Sequence, residues 1–271
     1  MRTEHKSRKM NARHGWVSDS VTALQEDKQI EVLRCISVRD VPMRQEYGVW
    51  FVLADRKPEE EIVKKVLQYT DSSSDQLMVC RCGNDLIILP PSSEEKGMPG
   101  LSDAFAKYLG EIHWPGMLAA SFSTDALSDV YRAYRMAHGS WQAAHAIYPE
   151  NRWLNEAEIR FGAMIQDAAR DPRILREARE TLVHLEEVYP NGEPIKFLSC
   201  YFLDCGMDLN ETARRMFLHK NTLKYRRARI NELLGYPVED TPESYALVNM
   251  LAMYRYGIKM RQKYWYVSFF Y

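Results

Sequence analysis

Seven basic side chains crowd into residues 208–235: Arg214, Arg215, Lys220, Lys224, Arg226, Arg227 and Arg229. Asp208, Glu211 and Glu232 oppose them, so this stretch carries a net charge of +4 while the whole chain stands at −1. Within 219–230 there are five bases and no acid. Cations gathered this way can neutralise phosphates and release the counterions of a nucleic acid. At about 100° per residue counted from Leu223, Ile230 returns to the Leu223 side of a helix. Asn221 and Tyr225 then fall almost opposite, with Lys224 and Ala228 beside them. That outer face would point into a major groove, where an Asn side chain can pair with adenine through two hydrogen bonds. Thr222 and Arg229 flank it and suit phosphates, Lys224 suits either role, and Lys220 and Arg226 complete the expected contact set.

The elements that must hold this face are two short helices. The first is expected over 208–218, capped by Asn210 or Asp208, with Ala213 as the small residue where two helices cross. The second starts at His219 and stops before Gly235, a natural C′ residue. A helical hairpin with a merely solvated basic face is the plain alternative. The small crossing residue, the short turn and the Asn/Lys/Tyr face together favour a helix-turn-helix on double-stranded DNA.

Other chemistry finds little support. The five cysteines, Cys35, Cys80, Cys82, Cys200 and Cys205, are odd in number and contain no CxxC pair, so reduced thiols are expected. His138, His145 and His184 fall on helices without an evident carboxylate or ligand spacing, and a structural role is expected for each. No catalytic residue, metal or cofactor is predicted. The polar, basic start has no apolar core of a signal peptide, and no run of about 18 apolar residues could span a membrane. A cytoplasmic protein with no membrane partner is expected.

Upstream, residues 48–122 predict an α/β domain. Val49–Leu53 is all apolar and suits a buried central strand. Pro58 opens a helix with Glu59, Glu60 and Glu61 in its first turn. Strands at 77–80 and 86–89 flank Gly83-Asn84-Asp85 as a hairpin. A helix over 101–110 and a strand over 117–122 complete a β-α-β-β-α-β order. From about 125 the chain reads as helices only. Asp171-Pro172 caps one of them. Residues 17–39 suggest a further helix, after a basic leader over 1–15.

The stretch Leu203–Leu234 resembles the C-terminal helix-turn-helix of PucR/CdaR-type transcription regulators. The resemblance is carried by Thr212-Ala213, by His219-Lys-Asn-Thr-Leu-Lys-Tyr-Arg226, and by Ile230-Asn-Glu-Leu-Leu-Gly235. It departs at Arg227, where that family has an apolar residue, and at Ala228, where it has a base. Residues 48–148 are similar to the degenerate GGDEF-like domain that precedes this motif in the family. Cys80-Arg-Cys-Gly-Asn-Asp-Leu-Ile-Ile-Leu89 stands where a cyclase would carry its acidic hairpin. Asp55 and Asp85 alone are too few carboxylates for two Mg²⁺ ions, so no cyclase activity is expected.

The expected fold class is α+β, a degenerate GGDEF-like (βαββαβ) domain followed by an all-α helix-turn-helix domain. The expected divisions are a leader and helix over 1–45, the GGDEF-like domain over 46–148, and a helical linker over 149–192. The DNA-binding domain follows over 193–258 and an aromatic tail over 259–271. The resemblance implies a bacterial, sequence-specific regulator, a homodimer on DNA, with an unidentified small-molecule effector possible. The rivals are a nucleotide-cyclase-like enzyme with a DNA-binding appendage and a protein-interaction module.

Overall fold

A computed structural model of the chain describes residues 47–72, 78–89, 99–124, 129–188, 192–239 and 241–264. The expected leader, the helix over 17–39 and the part of the 259–271 aromatic tail beyond 264 lie outside them, while its first residues up to Tyr264 continue the last helix. The chain divides into two compact units, one up to His138 and one from Gly139.

The first unit begins with β1 (Tyr47–Ala54) and α1 (Glu60–Ser72), followed by β2 (Met78–Cys82) and β3 (Asp85–Leu89). Next come α2 (Pro99–Glu111), β4 (Gly116–Thr124) and α3 (Val130–Ile147), whose first part belongs here. The β-α-β-β-α-β order is as expected. Within the unit the strands lie in the order β2-β3-β1-β4 with every pair antiparallel. Phe51 sits opposite Ile87 on one side and Ala119 on the other. Gly83, at φ 64°, starts the two-residue loop between β2 and β3, the backbone sign that such tight hairpins need.

The unbroken apolar run of β1 has a direct cause. Successive side chains of a strand point to opposite faces. Trp50 stacks on Phe105 of α2 (ring centres 5.9 Å apart), while Phe51 meets Tyr134 of α3 (5.9 Å). Helices therefore cover both faces, and Val49, Phe51, Val52 and Leu53 are fully buried. Gly116 pairs with Ala54, and a Cβ there would lie 1.8 Å from the Leu53 carbonyl oxygen.

The second unit continues with β5 (Trp153–Leu154), α4 (Glu156–Ala168), α5 (Pro172–Val188) and α6 (Glu193–Ser199). A π-helical turn (Cys200–Asp204) leads to α7 (Leu209–Arg215), α8 (Lys220–Leu234) and α9 (Pro242–Tyr264). The two-residue β5 corrects the expectation that the chain is helical throughout beyond 125. Its extended backbone leads into Asn155, whose own φ/ψ of −86°/171° is the extended geometry a helix cap requires. Asn155 and Glu158 then form a reciprocal capping box at the start of α4. Asp171 accepts from the Arg173 N–H at 2.9 Å, as its place before Pro172 predicts.

The core of this unit gathers Phe197, Leu198 and Tyr201 with Leu182, Leu185, Leu223, Ile230, Val238 and Leu251. Arg255 on α9 adds a polar tie. It donates to both Asp204 carboxylate oxygens at 2.6 Å and to the Ile147 carbonyl at 2.8 Å.

Candidate nucleic-acid interface

α7 starts at Asp208, whose carboxylate accepts from the N–H groups of Asn210 (2.7 Å) and Glu211 (3.1 Å). Of the two caps open from the sequence, Asp208 is the one used. Those N–H groups, Glu211 first and Asn210 second, hold its carboxyl below the usual aspartate range. Ala213 is buried, and its carbonyl accepts from the Leu218 N–H at 2.9 Å, closing the turn between the helices. Within this turn Phe217 takes φ 55° and remains 95% exposed.

His219 caps α8, its Nδ1 accepting from the Asn221 N–H at 3.2 Å. Gly235 ends the helix at φ 78°, with its N–H on the Asn231 carbonyl. Leu223 and Ile230 are buried and anchor the helix. Asn221, Thr222, Lys224, Ala228 and Tyr225 are exposed, the last at 72%. The wheel drawn from the sequence and the observed exposure therefore agree for this face. Lys220 is half-buried at the first position of the helix.

The arginines are more constrained than the sequence implied. Arg226 is paired with Glu193 of α6 at 3.0 Å. Arg229 meets Glu232 at 2.7 Å. Arg227, which departs from the family pattern, reaches Glu239 at 2.5 Å, and the Tyr201 hydroxyl donates to the same carboxylate. Arg214 pairs with Glu211, and Arg215 donates to the Asp204 carbonyl at 3.1 Å. Among the described residues, Lys220 and Lys224 make no ion pair. Carboxylates from outside the motif, Glu193 and Glu239, thus offset part of its charge. Thr222, Tyr225, Arg226 and Arg229 also line a cavity of about 290 Å³ over Pro194, Phe197 and Ile230, with Glu193 at its edge. The sequence reading did not find Phe217, Glu193 or this cavity.

In the first unit, Asp85 is 1% exposed. It accepts from the Ala54 N–H (2.8 Å) and the Tyr134 hydroxyl (2.8 Å), and its Oδ2 lies 2.7 Å from His138 Nδ1. Burial, then the Asp85 carboxylate, push the Tyr134 hydroxyl far up. His138 therefore has a carboxylate partner that was not evident from its spacing in the sequence. The cause is tertiary: the hairpin brings Asp85 against α3. The His184 side chain lies outside the described residues. Asp55 is exposed. Cys82, Cys200 and Cys205 are not in disulfides, but Cys80 is disulfide-bonded, which corrects the expectation of reduced cysteines throughout. Among the described residues no group of three or more His, Cys, Asp or Glu could hold a metal ion, and no helix is long and apolar enough to cross a membrane.

A small-residue crossing, a short turn and a capped second helix with a polar outer face define a helix-turn-helix protein. Residues 195–253 match the PucR C-terminal helix-turn-helix domain, so the chain carries this domain. The match leaves the first unit outside it. The chain is also similar to the crystal structure of a regulator of polyketide synthase expression from Bifidobacterium adolescentis. The identity is 18%, over 78% of this chain and 80% of that one, and the TM-score of 0.29 lends the likeness no weight. No curated relative matches the chain.

Proposed function

We propose that the protein regulates transcription by sequence-specific binding of double-stranded DNA, with α8 in the major groove. The observation that carries this reading is the division of α8 into a buried anchor and a polar face. Leu223 and Ile230 hold the helix, while Asn221, Lys224 and Tyr225 stand in water. Asn221 and Tyr225 read base edges, Arg229 and Thr222 meet phosphates, and Lys220 and Lys224 supply cations that no carboxylate occupies. Arg226 reaches a phosphate by exchanging Glu193 for it. The Glu193 end of this pair is open to solvent while Arg226 is half-buried, so the exchange swaps one anion for another at the same guanidinium.

The working form is a homodimer, since two recognition helices about one DNA turn apart multiply the contacts of one. It acts in the cytoplasm of a bacterium, with an unidentified small molecule as its effector. The first unit is a degenerate GGDEF-like domain without cyclase activity. Asp85, the carboxylate on its hairpin, is buried and engaged by Ala54, Tyr134 and His138.

Fluorescence-anisotropy titration of the full chain on mixed genomic DNA at two salt concentrations tests the reading. Binding that weakens steeply with salt supports it. No binding at low salt would favour a protein-interaction module.

A further inference from the structure

Cys200 and Cys205 lie five residues apart, a spacing that puts side chains about 140° apart on an α-helix. The π turn changes this. The Cys205 N–H bonds to the Cys200 carbonyl at 2.9 Å, so the chain closes on the fifth residue and stacks the two side chains. Their sulfurs are 3.7 Å apart. Cys200 is buried and Cys205 half-buried, and both are free thiols. A disulfide needs about 2.05 Å between sulfurs, so small rotations of two side chains bridge the difference.

We propose that Cys200 and Cys205 form an oxidation site, which peroxide converts to a reversible disulfide within the turn that precedes α7. The two sulfurs have different roles. Burial, then the hydrogen bond with Cys205, push the Cys200 thiol up to about 12, so it is a poor first nucleophile. Cys205 is more accessible, and the Arg215 guanidinium faces its sulfur; cationic, partly exposed surroundings are where thiols react with oxidants. The Cys205 thiolate attacks one peroxide oxygen and breaks the O–O bond, giving a sulfenic acid and hydroxide, which takes up the Cys205 proton as water. The Cys200 sulfur then attacks the Cys205 sulfur. The sulfenic hydroxyl departs with the Cys200 proton as a second water. Two electrons pass from the thiols to peroxide, and a thiol reductant reverses the step.

The product ties the turn to the start of the helix-turn-helix. Cys205 is followed by Gly206 and Met207, both at positive φ, and then by Asp208, the cap of α7.

Trypsin isolates this site, because cleavage after Lys196 and Arg214 leaves one peptide that holds both thiols and no other cysteine. The full chain is treated with hydrogen peroxide, alkylated with iodoacetamide under denaturing conditions, and digested. The expected result is a peptide that has lost about 2 Da and takes up no alkyl group, and that regains two alkylation sites after dithiothreitol. Cys200→Ser should stop at the sulfenic acid of Cys205, trapped as a dimedone adduct. Cys205→Ser should leave Cys200 as an alkylatable thiol. Full alkylation of both thiols after peroxide would overturn the proposal. So would cross-links from this peptide to other cysteines in place of the internal bond, or sulfinic acid at Cys205 of the unaltered chain.

Discussion

Phe217 holds φ 55° and leaves 95% of its surface in water. A left-handed backbone costs an L-residue on the order of 1–2 kcal/mol, and an exposed ring returns nothing by burial. Replacing it by glycine relieves the strain but adds chain entropy to the unfolded state. Phe217→Gly should therefore raise stability by about 0.5–1 kcal/mol in urea titrations. A simultaneous fall in DNA affinity would place the ring on the duplex. Asp208 makes a prediction in pH. Its folded pKa lies below the unfolded value, because the N–H groups of Glu211 and Asn210 favour the ionised form. Its contribution is thus complete above the ordinary aspartate range and is lost as pH falls through the folded pKa. Asp208→Asn keeps a capping oxygen but no charge, so its unfolding midpoint should fall less between pH 7 and about pH 3 than that of the parent. Equal slopes would remove the carboxylate from the account. The same scale marks what sequence could not supply. The exposure of Asn221 and Tyr225 was legible because helical period alone fixes it. The partners of Arg226 and Arg227 were not, because Glu193 and Glu239 reach them only through the fold.

Among the elements, close approach of backbones sets the tolerances. Gly162 on α4 packs against α3, and a Cβ there would lie 2.6 Å from the Ala144 nitrogen and 2.8 Å from its Cα. These are backbone atoms, so no side chain can move aside. Gly162→Ala should destabilise the second unit by about 1–3 kcal/mol, read as a lower thermal midpoint, although alanine is the better helix former. An unchanged midpoint would mean that α4 shifts freely. Strands β1, β3 and β4 were legible from their apolar runs, and β3 is indeed buried along its whole length. The short β5 escaped because two extended residues before a cap leave no periodic trace. The π turn escaped as well, since one extra residue in a helix changes no local composition. The Asp85–His138 pair spans 53 residues, and only the packing of the hairpin against α3 creates it.

For the whole molecule, the regulator reading requires that chemistry be absent from the first unit and recognition present in the second. Purified protein incubated with GTP and Mg²⁺ should yield no cyclic dinucleotide by chromatography. A product that disappears in Asp85→Ala would restore the enzyme reading. The GGDEF-like resemblance and the shortage of carboxylates supplied that expectation; the contacts of Asp85 with Ala54, Tyr134 and His138 were not legible in the sequence. The most direct test lies on α8, where two substitutions separate reading from holding. Asn221→Ala and Arg229→Ala are titrated on a cognate duplex, obtained by genomic site mapping, and on random duplexes across a salt series, with circular dichroism as a folding control. Asn221→Ala should lose about 1–3 kcal/mol of preference for the cognate site while its binding to random DNA barely changes. Arg229→Ala should weaken both alike and lower the salt slope by about one ion. A folded Asn221→Ala variant that keeps its full preference for the cognate site would contradict this placement of α8 in the major groove.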